Sequence, residues 1–503
     1  MSNGTGGSVG SGGSDAGSGG VTSSGSGGAT SGSGGTASGS GGRGGSSSGS
    51  GGATASGGAT GSGGGVGAGG AAQAGCPPAC GPSATDFFDN SKLATIRITF
   101  DAADTGNSSP DKWLDLLWSK WNHCPPFDKS DLVRVTFQYE SPDGKGNVTM
   151  QDVGIRLRGS RQKGVNQLQG FKLDFQKLLG TATGAARRRF ADINRLNTLS
   201  VEADPSHMMQ CLAYKTMRDF GLPSPYCNHL KVYVNGTYYG LMENVEEPEI
   251  GRFQAHHFGT TSAETYEASP SQGDCSGADK FNDSVAKLLY SGDTFGSYTS
   301  QYKITRGSTA TAEAHLLPML KCGDATQTAS DATFKTCISE WLDVNEWLKQ
   351  IAAESLMPTV ESFMVQRNYL LYFVPDAAAP HGGRFQLSSW DLDVAFQKAN
   401  CYPSSCDPLT ATAGYYGPGG TRAKLATRLT TVFRTEYCQA MKDFLSKVYK
   451  PGLVDDMSAV IMPGMTNDPT TTMSSWQSTV SSMRSFITSH GSSAMTQVTT
   501  ACP

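Results

Sequence analysis

An α+β fold in two lobes, a β-rich N-terminal lobe followed by a mainly helical C-terminal lobe, is what this 503-residue sequence predicts. Three observations lead there. Residues 1–75 are almost entirely Gly, Ser, Ala and Thr, and ordinary globular composition begins beyond them. Between Ala94 and Gly240, several runs of apolar residues recur with the period of two that half-buried strands require. From Ile338 onward the apolar spacing is helical, apart from two strand-like runs.

The Gly/Ser segment has too little apolar surface to offset the entropy of ordering, so it reads as a flexible tether. Roughly 420 residues remain, more than one hydrophobic core usually serves. They divide into a β-rich lobe over 86–250, an irregular insertion over 259–331 and a mainly helical lobe over 338–503. Net charge is −4, without the basic excess or stripe of a nucleic-acid binder. No apolar run is long enough to span a bilayer. Twelve cysteines, several close together in sequence as in Cys76 with Cys80, Cys322 with Cys337 and Cys401 with Cys406, favour disulfides and an oxidising, extracytoplasmic compartment. A tether of this kind commonly follows a cleaved export signal or a lipid-anchored cysteine, so secretion or surface attachment is expected.

Along the chain, Ala94 to Phe100 alternates as a strand, Lys112 to Trp121 reads as a short helix, and Leu132 to Tyr139 is a second strand ended by Asp143-Gly144. Strands follow at Val153 to Leu157, Phe171 to Phe175 and Asn197 to Val201. Ser206 to Phe220 places Met208, Met209, Leu212, Met217 and Phe220 on one helical face, stopped by Gly221. Lys231 to Gly240 contains Asn235-Gly236 between alternating runs, a type I′ hairpin. Tyr369 to Phe373 and Arg384 to Leu387 are strands around a turn-rich segment, and helices follow from Arg422 to about Ser489. A cleft between the two lobes is the expected place for a ligand.

Matches of the tether to glycine-rich motifs carry nothing, because no strand and helix flank them. Three constellations remain. Asp391 and Asp393, in Trp390-Asp391-Leu392-Asp393, follow a strand; two carboxylates pointing the same way suit a hard divalent cation, or else a turn cap. Arg156, Arg158, Gly159 and Ser160, with Arg161, Lys163 and Lys172 near, present cations and backbone N–H groups that suit phosphates, or else form an ordinary charged hairpin. Glu354, Glu361 and Asn368 precede the Tyr369 strand, where a carboxylate faces the paired aspartates or lies on a solvated helix face.

In this order and spacing, these segments resemble the spore coat protein H (CotH) kinase family. Gly154-Ile155-Arg156-Leu157-Arg158-Gly159-Ser160 resembles its strand ending in R-x-R-G-x-S. Phe171 to Phe175 resembles the basic-aromatic strand that follows. Val232 to Leu241 resembles the family hairpin VYVNGxYxGLY, and Glu243 to Phe253 the acidic stretch after it. Asn368 to Tyr372 is similar to its NYYLY strand, and Trp390 to Asp393 to its WDxD motif. The resemblance covers about residues 90 to 490. It implies a protein-kinase-like fold and transfer of phosphate from ATP, with Mg2+ or Mn2+, to Ser or Thr of a surface or coat protein. It gives Asp391 and Asp393 the metal, Lys172, Arg156, Arg158, Gly159 and Ser160 the phosphates, and Glu243 to Val245 the hinge near adenine. It gives Glu361 the catalytic carboxylate, although the family usually has Asp there. Two other activities fit the same fold: a non-catalytic module for adhesion or coat assembly, and nucleotidyl transfer.

Overall fold

The computed structural model describes residues 79–101, 112–120, 131–158, 168–180, 187–201, 204–248, 251–268, 286–359, 362–397 and 423–502. Seven strands of the N-terminal part close into a barrel. They are β1 (Ala94–Phe100), β2 (Val133–Glu140), β3 (Val148–Arg158), β4 (Gly170–Asp174), β5 (Arg195–Leu199), β6 (Cys227–Val234) and β7 (Thr237–Val245), in the order β1-β2-β3-β4-β5-β7-β6. Alternation explains the barrel. Ile98, Phe137, Ile155, Leu173, Leu196 and Val232 point inward and are inaccessible to solvent, and polar residues take the positions between them.

The β6–β7 hairpin turns on Asn235 and Gly236, with φ of 48° and 84°. Both values belong to the type I′ turn expected from Asn-Gly. The hairpin then does something local patterning does not reveal. β6 pairs in parallel with β1, from Ala94 opposite Leu230 to Ile98 opposite Val234. That pairing removes the free sheet edges. The kinase-like N-lobe sheet expected from the family resemblance is therefore a closed seven-stranded barrel, and this part of the expectation is corrected.

The remainder is mainly helical around a four-stranded antiparallel sheet. Its strands are β8 (Glu264–Ala268), β9 (Tyr302–Arg306), β10 (Tyr369–Pro375) and β11 (Gly383–Ser389), in the order β9-β8-β10-β11. The 259–331 segment, expected to be irregular, thus supplies two strands of this sheet. Its polar composition misleads because Thr265 and Tyr266 are fully buried while still meeting their hydrogen-bonding needs.

Helix α1 (Lys112–Ser119) covers the barrel, where Trp113 stacks on Phe100. Helix α2 (Met209–Asp219) is buried over most of its surface, and its side chains belong to the large core of the C-terminal part. Buried Asp204 caps it, accepting the N–H groups of Met208 and Met209 at 2.6 and 2.5 Å. Helices α3 (Gly251–Phe258), α4 (Leu317–Gly323), α5 (Asp331–Trp341), α6 (Val344–Leu356), α7 (Lys424–Val432), α8 (Arg434–Lys447), α9 (Gly452–Met465) and α10 (Met473–Ala501) complete the fold. Among the described residues, no helix is long and apolar enough to cross a membrane.

Disulfides join Cys211 to Cys227, Cys322 to Cys337 and Cys438 to Cys502. The first ties α2 to β6, and the last ties the end of α10 to α8. Cys401 and Cys406 lie outside the described residues.

Candidate functional site

Adjacent ends of β10 and β11 create the site. Tyr369 pairs with Ser389, so Asn368 and Trp390 emerge side by side, and the Trp390 N–H donates to the Asn368 carbonyl at 2.7 Å. The chain is unusual here. Gln366, Asn368 and Asp391 have φ of 66°, 48° and 60°, left-handed values that side chains other than glycine seldom adopt. Such conformations persist only where the surroundings enforce them, and they cluster at functional sites. The Asn368 carboxamide also donates to Asp391 Oδ2 at 3.4 Å.

Glu354 supports this corner from beneath. It is buried on α6, receives Gln350 Nε2 at 2.9 Å and the Met364 N–H at 3.0 Å, and bonds the Ser389 hydroxyl. Burial pushes its carboxyl above the usual range, and the donors around it act against that rise. Of the two readings left open for Glu354, neither the solvated face nor the cleft-facing carboxylate holds. It is an internal strut.

Helix α2 supports the aspartates from behind. The Asp391 N–H donates to the Tyr214 hydroxyl at 3.0 Å, and that hydroxyl donates to Gln210 Oε1 at 3.0 Å. Gln210 Nε2 in turn donates to Glu243 Oε2 at 3.0 Å. Tyr214 also stacks on Trp390, with ring centroids 6.4 Å apart. Its phenol is held well above its usual pKa by burial and by the charge of Asp391, so it stays a neutral hydrogen-bonding group. Glu243 is only 1% exposed. Burial, then the charge of Asp204, raises its carboxyl well above the usual range; Asp393 adds to the rise and its hydrogen bonds oppose it. Its carboxylate is thus turned toward α2 in this structure.

The outer face of the barrel brings the cations. Arg156 on β3, Lys172 on β4 and Asn197 on β5 stand in register across three strands. Lys172 forms an ion pair with Glu247, just beyond β7, and Arg195 lies 3.7 Å from the same carboxylate and 3.2 Å from Asp174. Glu247 is 9% exposed; burial alone would raise its pKa, but Lys172 and Arg195 bring it down to about 2. Burial lowers the Lys172 pKa, with Glu247 opposing the shift. Arg158, two residues beyond Arg156, lies over the Trp390 ring at 5.5 Å. That cation–π contact brings the basic barrel face up to the Asp391 corner.

Of the residues singled out from sequence, Arg158, Asp391 and Asn368 are therefore brought together, Asp393 follows in the same turn, and Arg156 and Lys172 form the adjoining basic face. Glu361, Gly159, Ser160, Arg161 and Lys163 lie outside the described residues. Sequence reasoning missed Tyr214, Gln210, Glu247 and Arg195. Tyr214 and Gln210 lie on what reads as an ordinary helix face, and Glu247 sits in an acidic run with nothing to separate it from its neighbours.

The carboxylates of Asp391 and Asp393 and the carboxamide oxygen of Asn368, with Asp391 held by the buried Tyr214 hydroxyl, are donor types that suit Mg2+ or Mn2+ with water and phosphate completing the shell. The neighbouring cations suit a polyphosphate. Comparison with known proteins gives one family match: the family described as CotH kinase protein matches over residues 155–493. That span runs from within β3 to within α10 and takes in every described residue of the site. No curated protein matches the chain.

Proposed function

The chain belongs to the family of CotH kinase proteins, and on that premise we propose that it is an extracytoplasmic protein kinase that transfers the terminal phosphate of ATP to Ser or Thr of a surface or coat protein. The observation that carries this reading is the meeting of Asp391, held in a left-handed conformation by buried Tyr214, with the Arg158 end of the basic barrel face.

In this reading, Asp391 and Asp393, with the oxygen of the Asn368 carboxamide, hold the divalent cation. When bound, the cation neutralises phosphate charge. Arg156, Arg158, Lys172 and the backbone of Gly159-Ser160 orient the phosphates. Glu361 accepts the proton of the acceptor hydroxyl as its oxygen bonds to the γ-phosphorus, and the bond from that phosphorus to ADP breaks. Glu243 acts from behind, through Gln210 and Tyr214, rather than by touching nucleotide. Catalysis of this kind is positioning plus electrostatics, which matches a site whose distinguishing feature is an enforced backbone. The disulfides and the tether support an oxidising location. Glu361 in place of Asp favours a second reading, a binding module that keeps the fold without the transfer.

The test is incubation with ATP labelled at the γ- or the α-phosphate, with Mn2+ or Mg2+ and a generic Ser/Thr-rich acceptor. The kinase reading predicts incorporation of the γ-label alone, reduced at least about a hundredfold in Asp391→Ala, the loss expected when a group that stabilises transition-state charge is removed. Incorporation of the α-label indicates nucleotidyl transfer, and incorporation of neither supports the module.

A further inference from the structure

Away from the site, a cavity of about 450 Å3 is shared by the C-terminal end of α2, the N-terminal end of α6, helix α3 and strand β11. Small-molecule sites have volumes of this order. Its lining includes Arg218 near the end of α2, Tyr226 just before β6, His256 and His257 on α3, and Asp343 and Glu346 at the start of α6. None of these residues enters the kinase reading.

The charges of this lining have opposite signs and do not meet. The Arg218 guanidinium lies over the Tyr226 ring at 4.7 Å and donates to the Pro225 carbonyl. Among the described residues, it has no other acceptor and no ion-pair partner. A guanidinium carries five N–H donors in a planar fork, so most of that capacity is left for a ligand. Asp343 is in a matching position. Its Oδ1 accepts the Glu346 N–H at 3.2 Å and caps α6, while no described residue donates to its Oδ2. Glu346 is already paired with Lys349 at 2.5 Å. The histidines add no charge near neutral pH, because burial lowers both, His257 to about 3. One cation and one anion therefore remain for a ligand, on two different helices of one cavity. A purely anionic ligand would meet the Asp343 and Glu346 carboxylates, and a purely cationic one the Arg218 guanidinium. A molecule with one charge of each sign complements both.

We propose that this cavity binds a small zwitterion of the amino-acid or short-peptide class, with its carboxylate on Arg218 and its ammonium group on Asp343. The two oxygens of a carboxylate match the paired donors of the guanidinium fork. Tyr226 and His257, stacked with ring centroids 5.9 Å apart, supply an aromatic wall for the chain between the charged ends. The cavity is separate from the candidate metal corner, although its lining includes Gln386 on the strand that leads to Asp391. Its two charged helices also carry supports of that corner, Tyr214 on α2 and Glu354 on α6. A ligand that bridges Arg218 and Asp343 thus ties together the elements that hold Asp391 and Ser389.

A ladder of unblocked oligoglycines, from glycine to tetraglycine, is the probe, because each added residue moves the two charged ends apart by up to about 3.5 Å. Binding to the full chain is measured by isothermal titration calorimetry at millimolar peptide. The proposal predicts one-to-one binding of at least one member of the ladder. It predicts at least about tenfold weaker binding of the same peptide when its amine is acetylated or its carboxylate amidated. Asp343→Asn removes the charge and keeps the α6 cap, for which Asn serves as well as Asp, and it should weaken the unblocked peptide at least about tenfold. Arg218→Gln should do the same; should that variant fail to fold, Asp343→Asn carries the test alone. Three results overturn the proposal: no binding of any unblocked peptide, blocked peptides that bind as tightly as the free one, or an affinity unchanged in Asp343→Asn. Neither ATP nor a divalent cation enters the experiment, so its outcome stands apart from the kinase test.

Discussion

Tyr214 links the buried interior to the candidate chemistry. Its hydroxyl is the partner of an N–H on a residue in a sparsely allowed conformation. Tyr214→Phe keeps the ring stacked on Trp390 and leaves the Asp391 N–H without its acceptor. A cost of about 1 kcal/mol is expected for the lost hydrogen bond of a half-buried donor. Part of it should appear as stability in thermal unfolding and part as weaker Mn2+ binding, read by electron paramagnetic resonance, with the overall fold unchanged. Unaltered Mn2+ affinity counts against a positioning role. The histidines give a second expectation. Burial lowers His229 and His490 from 6.5 to about 4. Unfolded, both take up protons below pH 6.5; folded, only near pH 4. Between those values the unfolded chain binds more protons, so stability falls as pH falls, by up to roughly 3 kcal/mol per group. The melting temperature should decline from pH 6.5 to 4, less steeply in His490→Gln; a flat profile contradicts the assignment. At this scale the sequence was legible where a site is written consecutively, as in Trp390 to Asp393. It was silent on Tyr214, which reaches Asp391 across 177 positions of chain.

Elements were legible to the extent that a period or a turn specifies them. β1 and the Asn235-Gly236 hairpin follow from alternation and from two left-handed turn residues. Barrel closure does not, because the parallel β1–β6 pairing joins segments whose patterns each suit an open sheet equally well. β8 and β9 were hidden for a different reason: their buried positions are occupied by Thr and Tyr, whose hydroxyls are satisfied internally. At the far end of the chain, α10 is 29 residues long, rich in Ser and Thr, and carries a sparse apolar stripe through Trp476, Met483, Ile487, Ala494 and Val498. So thin a stripe gains from covalent attachment. Cys438–Cys502 closes 64 residues, and removing it by Cys438→Ala/Cys502→Ala should cost about 2–4 kcal/mol. Hydrogen exchange should then rise first in the last turns of α10. Uniform exchange along the helix contradicts an anchoring role for the bond.

For the whole molecule, the β-rich and helical parts are joined through α2, which belongs to the C-terminal core, is bonded to β6 by Cys211–Cys227, and holds Asp391 through Tyr214. The two-part α+β layout was visible in the change from a period of two to helical spacing. The family was visible in the order of its motifs, and the match over residues 155–493 bears it out. What composition and pattern do not encode is which face of the barrel meets which corner of the helical part, because Arg158 and Trp390 are brought together only by the folded chain. The central claim is that this meeting point is a metal–nucleotide site. Its most direct test is a thermal-shift titration with ATP, with and without Mn2+, on wild type and on Asp391→Ala. A ligand that binds only the native state stabilises it by mass action, by about 2.7 kcal/mol at one hundred times its dissociation constant. The prediction is a rise in melting temperature that needs both ATP and Mn2+ and disappears in Asp391→Ala. A wild-type chain whose melting temperature is indifferent to saturating ATP and Mn2+, or an Asp391→Ala chain that responds as wild type does, contradicts it.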